Sequence, residues 1–109
     1  MEAINFSYNW NNKLSGKAFT SIRLHNPNKY RKGERYEIEL KGRRLGVAVL
    51  QDVKKIALSQ LNDFICYLDT GYNVTETTQI IQRMYKNINW GVQKLDFCLF
   101  VYLKPERKQ

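Results

Sequence analysis

Leu14-Ser15-Gly16-Lys17-Ala18-Phe19-Thr20-Ser21-Ile22-Arg23-Leu24 is the stretch on which the fold turns. Ser15-Gly16 has turn chemistry, and from Lys17 to Leu24 the aromatic, β-branched and alternating residues are those of a strand. Side chains of a regular strand alternate, so Lys17, Phe19, Ser21 and Arg23 share one face, and Ala18, Thr20 and Ile22 the other. His25-Asn26-Pro27-Asn28 then breaks the pattern as a loop. His25 has no acid or thiol partner nearby in sequence and is assigned no role.

Upstream, Ile4, Phe6 and Tyr8 alternate with Asn5 and Ser7 as in a half-buried strand over Ala3 to Tyr8, and Trp10 to Leu14 fits one helical turn. Downstream, Tyr30-Arg31-Lys32-Gly33-Glu34 leads into Tyr36, Ile38 and Leu40 at period two. Lys41-Gly42 turns the chain toward Leu45 to Ile56, where Val47, Val49 and Val53 continue the sheet. Ser59 is placed to cap a helix carrying Leu61, Phe64, Ile65 and Leu68 at helical spacing, with Gly71 to end it. Asn73-Val74-Thr75-Glu76 has capping-box spacing ahead of Ile80, Ile81, Met84 and Tyr85. Lys94 to Tyr102 is apolar and β-prone, a buried closing strand. Strands, then two helices, then a last strand predict an α+β domain over residues 1–103, a small β-barrel with two helices packed beside it and a polar tail over 104–109. Ile4, Phe6, Ile22, Ile38, Val47, Val49, Leu61, Phe64, Ile65, Leu68, Ile80, Ile81, Met84, Leu99 and Val101 are expected to share one core.

At 109 residues, 43% hydrophobic and 26% charged, the chain has the size and balance of one globular domain. Its longest apolar run, Phe97 to Leu103, is far shorter than the roughly 20 residues of a membrane-spanning helix. Glu2 stands where a secretory signal has basic residues, and no apolar segment follows, so a cytoplasmic location and no membrane partner are expected. Cys66 and Cys98 lie among apolar neighbours and read as reduced, buried thiols; with one histidine, neither a metal site nor a cofactor is expected.

The formal charge is +8 and uneven. Residues 1–58 hold twelve Lys and Arg against five acids, residues 59–109 six against five. A basic half predicts a polyanionic partner, RNA or single-stranded nucleic acid, with Lys32, Arg43 and Arg44 on phosphates. Arg23 suits a fork onto a phosphate or carbonyl, or an ion pair with an acid. Trp10 is placed to stack on a base or to act as a hydrophobic lid, with Asn9 and Asn11 beside it to read a base edge. Tyr30, between basic residues, either stacks on a base or anchors its loop.

Leu14 to Arg23, followed by Tyr30-Arg31-Lys32-Gly33-Glu34, resembles the ASCH family of PUA-like domains, which typically carries a GxKxx[ET]xR strand motif and then a pGD-like turn. The element order is similar too, so the likeness covers roughly residues 3 to 103. The resemblance implies a PUA-like barrel with a cleft beside the helices that binds RNA or modified nucleosides. Some small members hydrolyse N4-acetylcytidine with a lysine, a threonine and a glutamate. Aligned on Gly16 and Arg23, the lysine slot holds Ala18 and the threonine or glutamate slot holds Ser21, while Asp69 lies nearest the family glutamate. The expected function is therefore binding of RNA, a nucleotide or a modified nucleoside in a basic cleft, with little or no hydrolysis. The alternative is an amidohydrolase for an N4-acylated cytidine-type nucleoside, in which Lys17 activates Ser21 or Thr20 and Asp69 or Glu76 supplies the acid.

Overall fold

Lys94–Tyr102, the last strand in sequence, lies inside the sheet rather than at its rim. The computed structural model describes residues 1 to 104. Its strands are β1 (Ala3–Phe6), β2 (Ala18–Leu24), β3 (Arg35–Leu40), β4 (Arg43–Ala57) and β5 (Lys94–Tyr102), and its helices are α1 (Asp63–Asp69) and α2 (Val74–Met84). Short 3-10 turns occupy Trp10–Ser15 and Leu58–Gln60. The sheet order is β1-β3-β4-β5-β2; β1 runs parallel to β3, and the other pairs are antiparallel. This is the expected α+β class, but the sheet curls into a half-barrel and does not close.

Closure fails because the first strand is short. It ends at Phe6, not Tyr8, and the chain bends away at Ser7. β1 and β2 are the two edges of the sheet, and side chains span the seam between them. Arg23 Nη2 donates to the Asn5 carbonyl at 3.0 Å, and the Phe6 and Phe19 rings meet edge-on at 5.7 Å.

Because β5 has neighbours on both sides and cover on both faces, alternate residues enter different layers. Cys98 and Phe100 join Ile4, Phe6, Phe19, Tyr36, Ile38, Ala48 and Leu50 on the concave face, where Phe19 stacks on Phe100 at 5.3 Å and Tyr36 meets it edge-on at 5.8 Å. Leu95 and Ile22 face the other way and pack on Leu61, Cys66 and Ile81 beneath the helices. The buried residues thus form two clusters on opposite faces of one sheet, where a single core was expected.

Four of the expected core residues, Phe64, Leu68, Met84 and Leu99, are exposed, and Val47 and Val49 are only half-buried. In β4 the pairing of Leu50 with Phe100 and of Ala48 with Tyr102 sends the even-numbered residues inward, leaving the valines on the outer face. A register shift between Leu50 and Asp52 then changes the phase, so that Val53 packs inward. In α1 the cap is Asn62, whose Oδ1 accepts from Ile65 N at 2.9 Å, and Ser59 belongs to the preceding 3-10 turn. The helix buries Cys66 and Asp69, which rotates Phe64, Tyr67 and Leu68 outward. The second cap forms as read: Asn73 Oδ1 accepts from Glu76 N at 2.9 Å, and Glu76 Oε1 accepts from Asn73 N at 3.3 Å. Of the expected tail, residues 105–109 lie outside the described residues. Among the described residues, no helix is long and apolar enough to cross a membrane.

Candidate functional site

The open seam makes a cleft. Asn5, Phe6, Ser7 and Tyr8 form one wall, Ser21, Ile22 and Arg23 the other, and Ile80, Ile81, Met84 and Tyr85 of α2 and its end cover it. β2 is an edge strand, so side chains from both of its faces reach the same rim, which no interior strand allows. Ser21 and Arg23 come from the concave face. Ile22 comes from the face beneath the helices, as does Thr20, which does not line the cleft but reaches Asp69.

The floor is set by a turn that the sequence signals only faintly. Asn11 and Asn12 take left-handed conformations, φ 57° and 52°, which asparagine tolerates better than most side chains. Asn9 Oδ1 accepts from Leu14 N at 3.0 Å, and the Asn9 and Ser15 side chains both donate to Asn12 Oδ1. Asn11 Nδ2 donates to the Tyr67 carbonyl at 3.2 Å, tying the turn to α1. The turn sends Leu14 into the core and Lys13 into the cleft.

Lys13 Nζ lies 2.8 Å from Asp69 Oδ1, and each side chain is only 6% exposed. Thr20 Oγ1 donates to the same oxygen at 2.8 Å. Burial lowers the pKa of the Lys13 ammonium, outweighing the upward pull of Asp69, and the nearby Arg23 charge pushes the same way. The Phe6 ring carries both cations, with Lys13 Nζ 5.5 Å and the Arg23 guanidinium carbon 4.5 Å from its centroid. At the rim, Tyr8 and Trp10 lie 4.6 Å apart, and Trp10 meets Tyr72 edge-on at 6.1 Å. The cavity measures about 70 Å³. Ordinary ligand pockets run to roughly 300–1,000 Å³, so this one is too small to enclose a whole ligand of that kind.

Several site residues stand elsewhere than expected. Lys17 is exposed, precedes β2 and takes no part in the cleft; the amine is supplied by Lys13, four residues earlier. Thr20, not Ser21, reaches Asp69, because the two side chains leave opposite faces of β2; Ser21 Oγ accepts from Arg23 Nε at 2.8 Å. Glu76 is held in its helix cap. Tyr30 is 8% exposed within the concave cluster, so it anchors its loop and offers no stacking surface. Asn9 serves the turn and, with Arg43 and Arg44, lines a different groove beside Tyr102. Arg44 pairs with Glu37 at 2.7 Å, and Lys32 is 69% exposed, 3.9 Å from Asp52. The basic residues therefore do not converge on one basic cleft; among the described residues, only Arg23 and Lys13 enter it.

Two features escaped sequence reasoning. Lys13 has as its signal the Asn11-Asn12 pair, which favours a left-handed reversal before a basic residue. His25 has an acid partner 71 positions away: its Nδ1 lies 2.8 Å from Asp96 Oδ1, and Asn26 N donates to Asp96 Oδ2 at 2.9 Å. The cysteines are both buried, and burial pushes the Cys98 thiol up to about 12, with the Asp96 charge adding to it, so neither reads as a nucleophile. Among the described residues, no three His, Cys, Asp or Glu side chains gather as a metal site. Compared with known proteins, the chain matches no family model, no curated protein and no solved structure.

Proposed function

We propose that the domain is a PUA-like, ASCH-type module whose seam cleft binds a nucleoside-class ligand. The observation that carries this reading is a polar floor of Lys13, Arg23, Ser21 and Asp69 lying directly beneath the Tyr8–Trp10 rim. A base edge inserted into the floor meets donors from Lys13 and Arg23 and an acceptor at Asp69, while its face lies against indole and phenol rings. A single inserted base is favoured over a strand tracked along a basic channel, because Lys32, Arg43 and Arg44 point to other surfaces. Trp10 reports on the cleft, and titration with a nucleoside panel should quench tryptophan fluorescence saturably. The response should vanish in Trp10→Ala. No saturable response to any nucleoside at millimolar concentration sinks the reading.

A second reading, hydrolysis of an acylated amine such as N4-acetylcytidine, is favoured by Lys13 filling the role that Ala18 left empty. In it, Thr20 Oγ1 adds to the acyl carbonyl as its proton passes to Asp69 Oδ1. The C–N bond then breaks as the Lys13 ammonium protonates the departing amine. Water then adds to the acyl-threonine ester as the neutral Lys13 amine takes one of its protons, and the ester C–O bond breaks as Asp69 returns its proton to Thr20 Oγ1, the acid departing with the second water proton. Cytidine release that persists in Lys17→Ala and disappears in both Lys13→Ala and Thr20→Val supports it; no release by the wild type leaves binding as the sole function.

A further inference from the structure

Charge in the cleft does not balance. The charged residues lining it are Lys13, Arg23 and Asp69, and the first and last are engaged with each other at 2.8 Å. Arg23 is half-buried against the Phe6 ring, and its hydrogen bonds go to neutral acceptors, the Ser21 hydroxyl and the Asn5 carbonyl. No carboxylate among the described residues pairs with it. Its partner in the strand register is Asp96, on the same face of the neighbouring strand, yet both oxygens of that carboxylate face His25 and the Asn26 amide. Besides these two bonds Arg23 also meets the Tyr30 hydroxyl, again a neutral partner, so part of its five-donor fork stays open. A half-buried guanidinium held in place by neutral groups, with its charge on the open cleft, is preorganised to accept a ligand anion.

We infer that Arg23 receives an oxyanion of the ligand, so the cleft selects a planar ring carrying a phosphate or carboxylate over the same ring without one. This rests on the nucleoside-binding reading and narrows it to anionic members of that class. Phosphate and carboxylate both match the guanidinium fork, and either lies within the joint field of Arg23 and Lys13.

Calorimetric titration of the purified protein with two pairs of probes tests it: cytidine against cytidine 5′-monophosphate, and uracil against its carboxylate, orotate. Charge-assisted bonds of this kind predict about tenfold or more tighter binding of at least one anionic member than of its neutral counterpart. Which pair shows the gain assigns the oxyanion to a phosphate or a carboxylate. The preference should fall to near unity in Arg23→Gln and survive in Lys55→Gln, an exposed charge outside the cleft. Equal affinity within both pairs overturns the inference and leaves nucleoside binding standing. Absence of binding by all four probes overturns both. A preference that survives Arg23→Gln also overturns the assignment to this residue. The wild-type ratios stand alone as a test if the variant fails to fold.

Discussion

Asp69 and Asp96 flank β2, are 4% and 2% exposed, and each lies 2.8 Å from a basic side chain, yet their surroundings differ. Asp96 divides its oxygens between His25 and the Asn26 amide, both in the loop after β2, so the carboxylate fastens that loop to β5. Asp69 takes Lys13 and Thr20 on the same oxygen and faces the cleft. One carboxylate is fully engaged by the element it holds. The other gathers an amine and a hydroxyl where a ligand can enter. Burial and an ion pair are thus common to both carboxylates, and the distribution of partners over the two oxygens separates them.

Stability measurements can break this contrast. Asp69→Ala strands a buried ammonium and should cost on the order of 3–5 kcal/mol in denaturant unfolding, and the double replacement Lys13→Met with Asp69→Leu should recover most of it. Asp96→Ala leaves the Asn26 amide without its partner and should cost about 1–3 kcal/mol. A larger loss at Asp96 than at Asp69 reverses the assignment.

pH sharpens the same contrast. The folded-state pKa of Lys13 is lowered, so between that value and the ordinary 10.5 the unfolded chain holds more protons. Stability from this group therefore rises with pH across that window, and Lys13→Met should remove the rise. Cys98 acts in the opposite sense: its raised pKa contributes stability that is complete below about pH 9 and lost as pH climbs toward about 12. Subtracting the unfolding curves of Lys13→Met and Cys98→Ala from the wild type should give slopes of opposite sign.

Smaller effects test the scaffold around the cleft. Gly71 ends α1 at φ +81°, and an added Cβ would lie 3.1 Å from Asn11 Oδ1, the side chain that ties the Lys13 turn to α1. Gly71→Ala should cost about 1–2 kcal/mol, more than Gly42→Ala, whose φ is also positive but which has open space around it. Equal melting temperatures for the two would show that the clamp does not matter. Lys32→Gln, which breaks only an exposed 3.9 Å pair with Asp52, should change stability by less than about 0.5 kcal/mol.

The strands and the second helix were legible because their signals are local: period-two alternation in β2 and β3, and the reciprocal bonds of Asn73 and Glu76. Phase was less legible. Val47 and Val49 mark a strand but not which face is inward, since the register of β4 is set by β5 some 50 residues later. Leu61, Phe64, Ile65 and Leu68 have helical spacing, yet the cap at Asn62 starts the helix after Leu61 and turns two of the four outward. At the site, Thr20, Arg23, Asp69 and Trp10 could be singled out from the sequence. The Asp96 partner of His25 could not, because it depends on a contact 71 positions apart, and Lys13 had only the faint local signal of Asn11-Asn12, its contact with Asp69 lying 56 positions away.

The sheet order also sets a timetable for a chain emerging from the ribosome. β2 pairs only with β5, and Ala18 meets Val101 about 80 residues after it is made. At roughly 5–20 residues per second, that is an interval of about 4–16 seconds. Throughout it, Phe19-Thr20-Ser21-Ile22 is a β-prone segment with no strand to join, a hazard for pairing with other nascent chains. Thr20 and Arg23, which lie on this strand, wait with it.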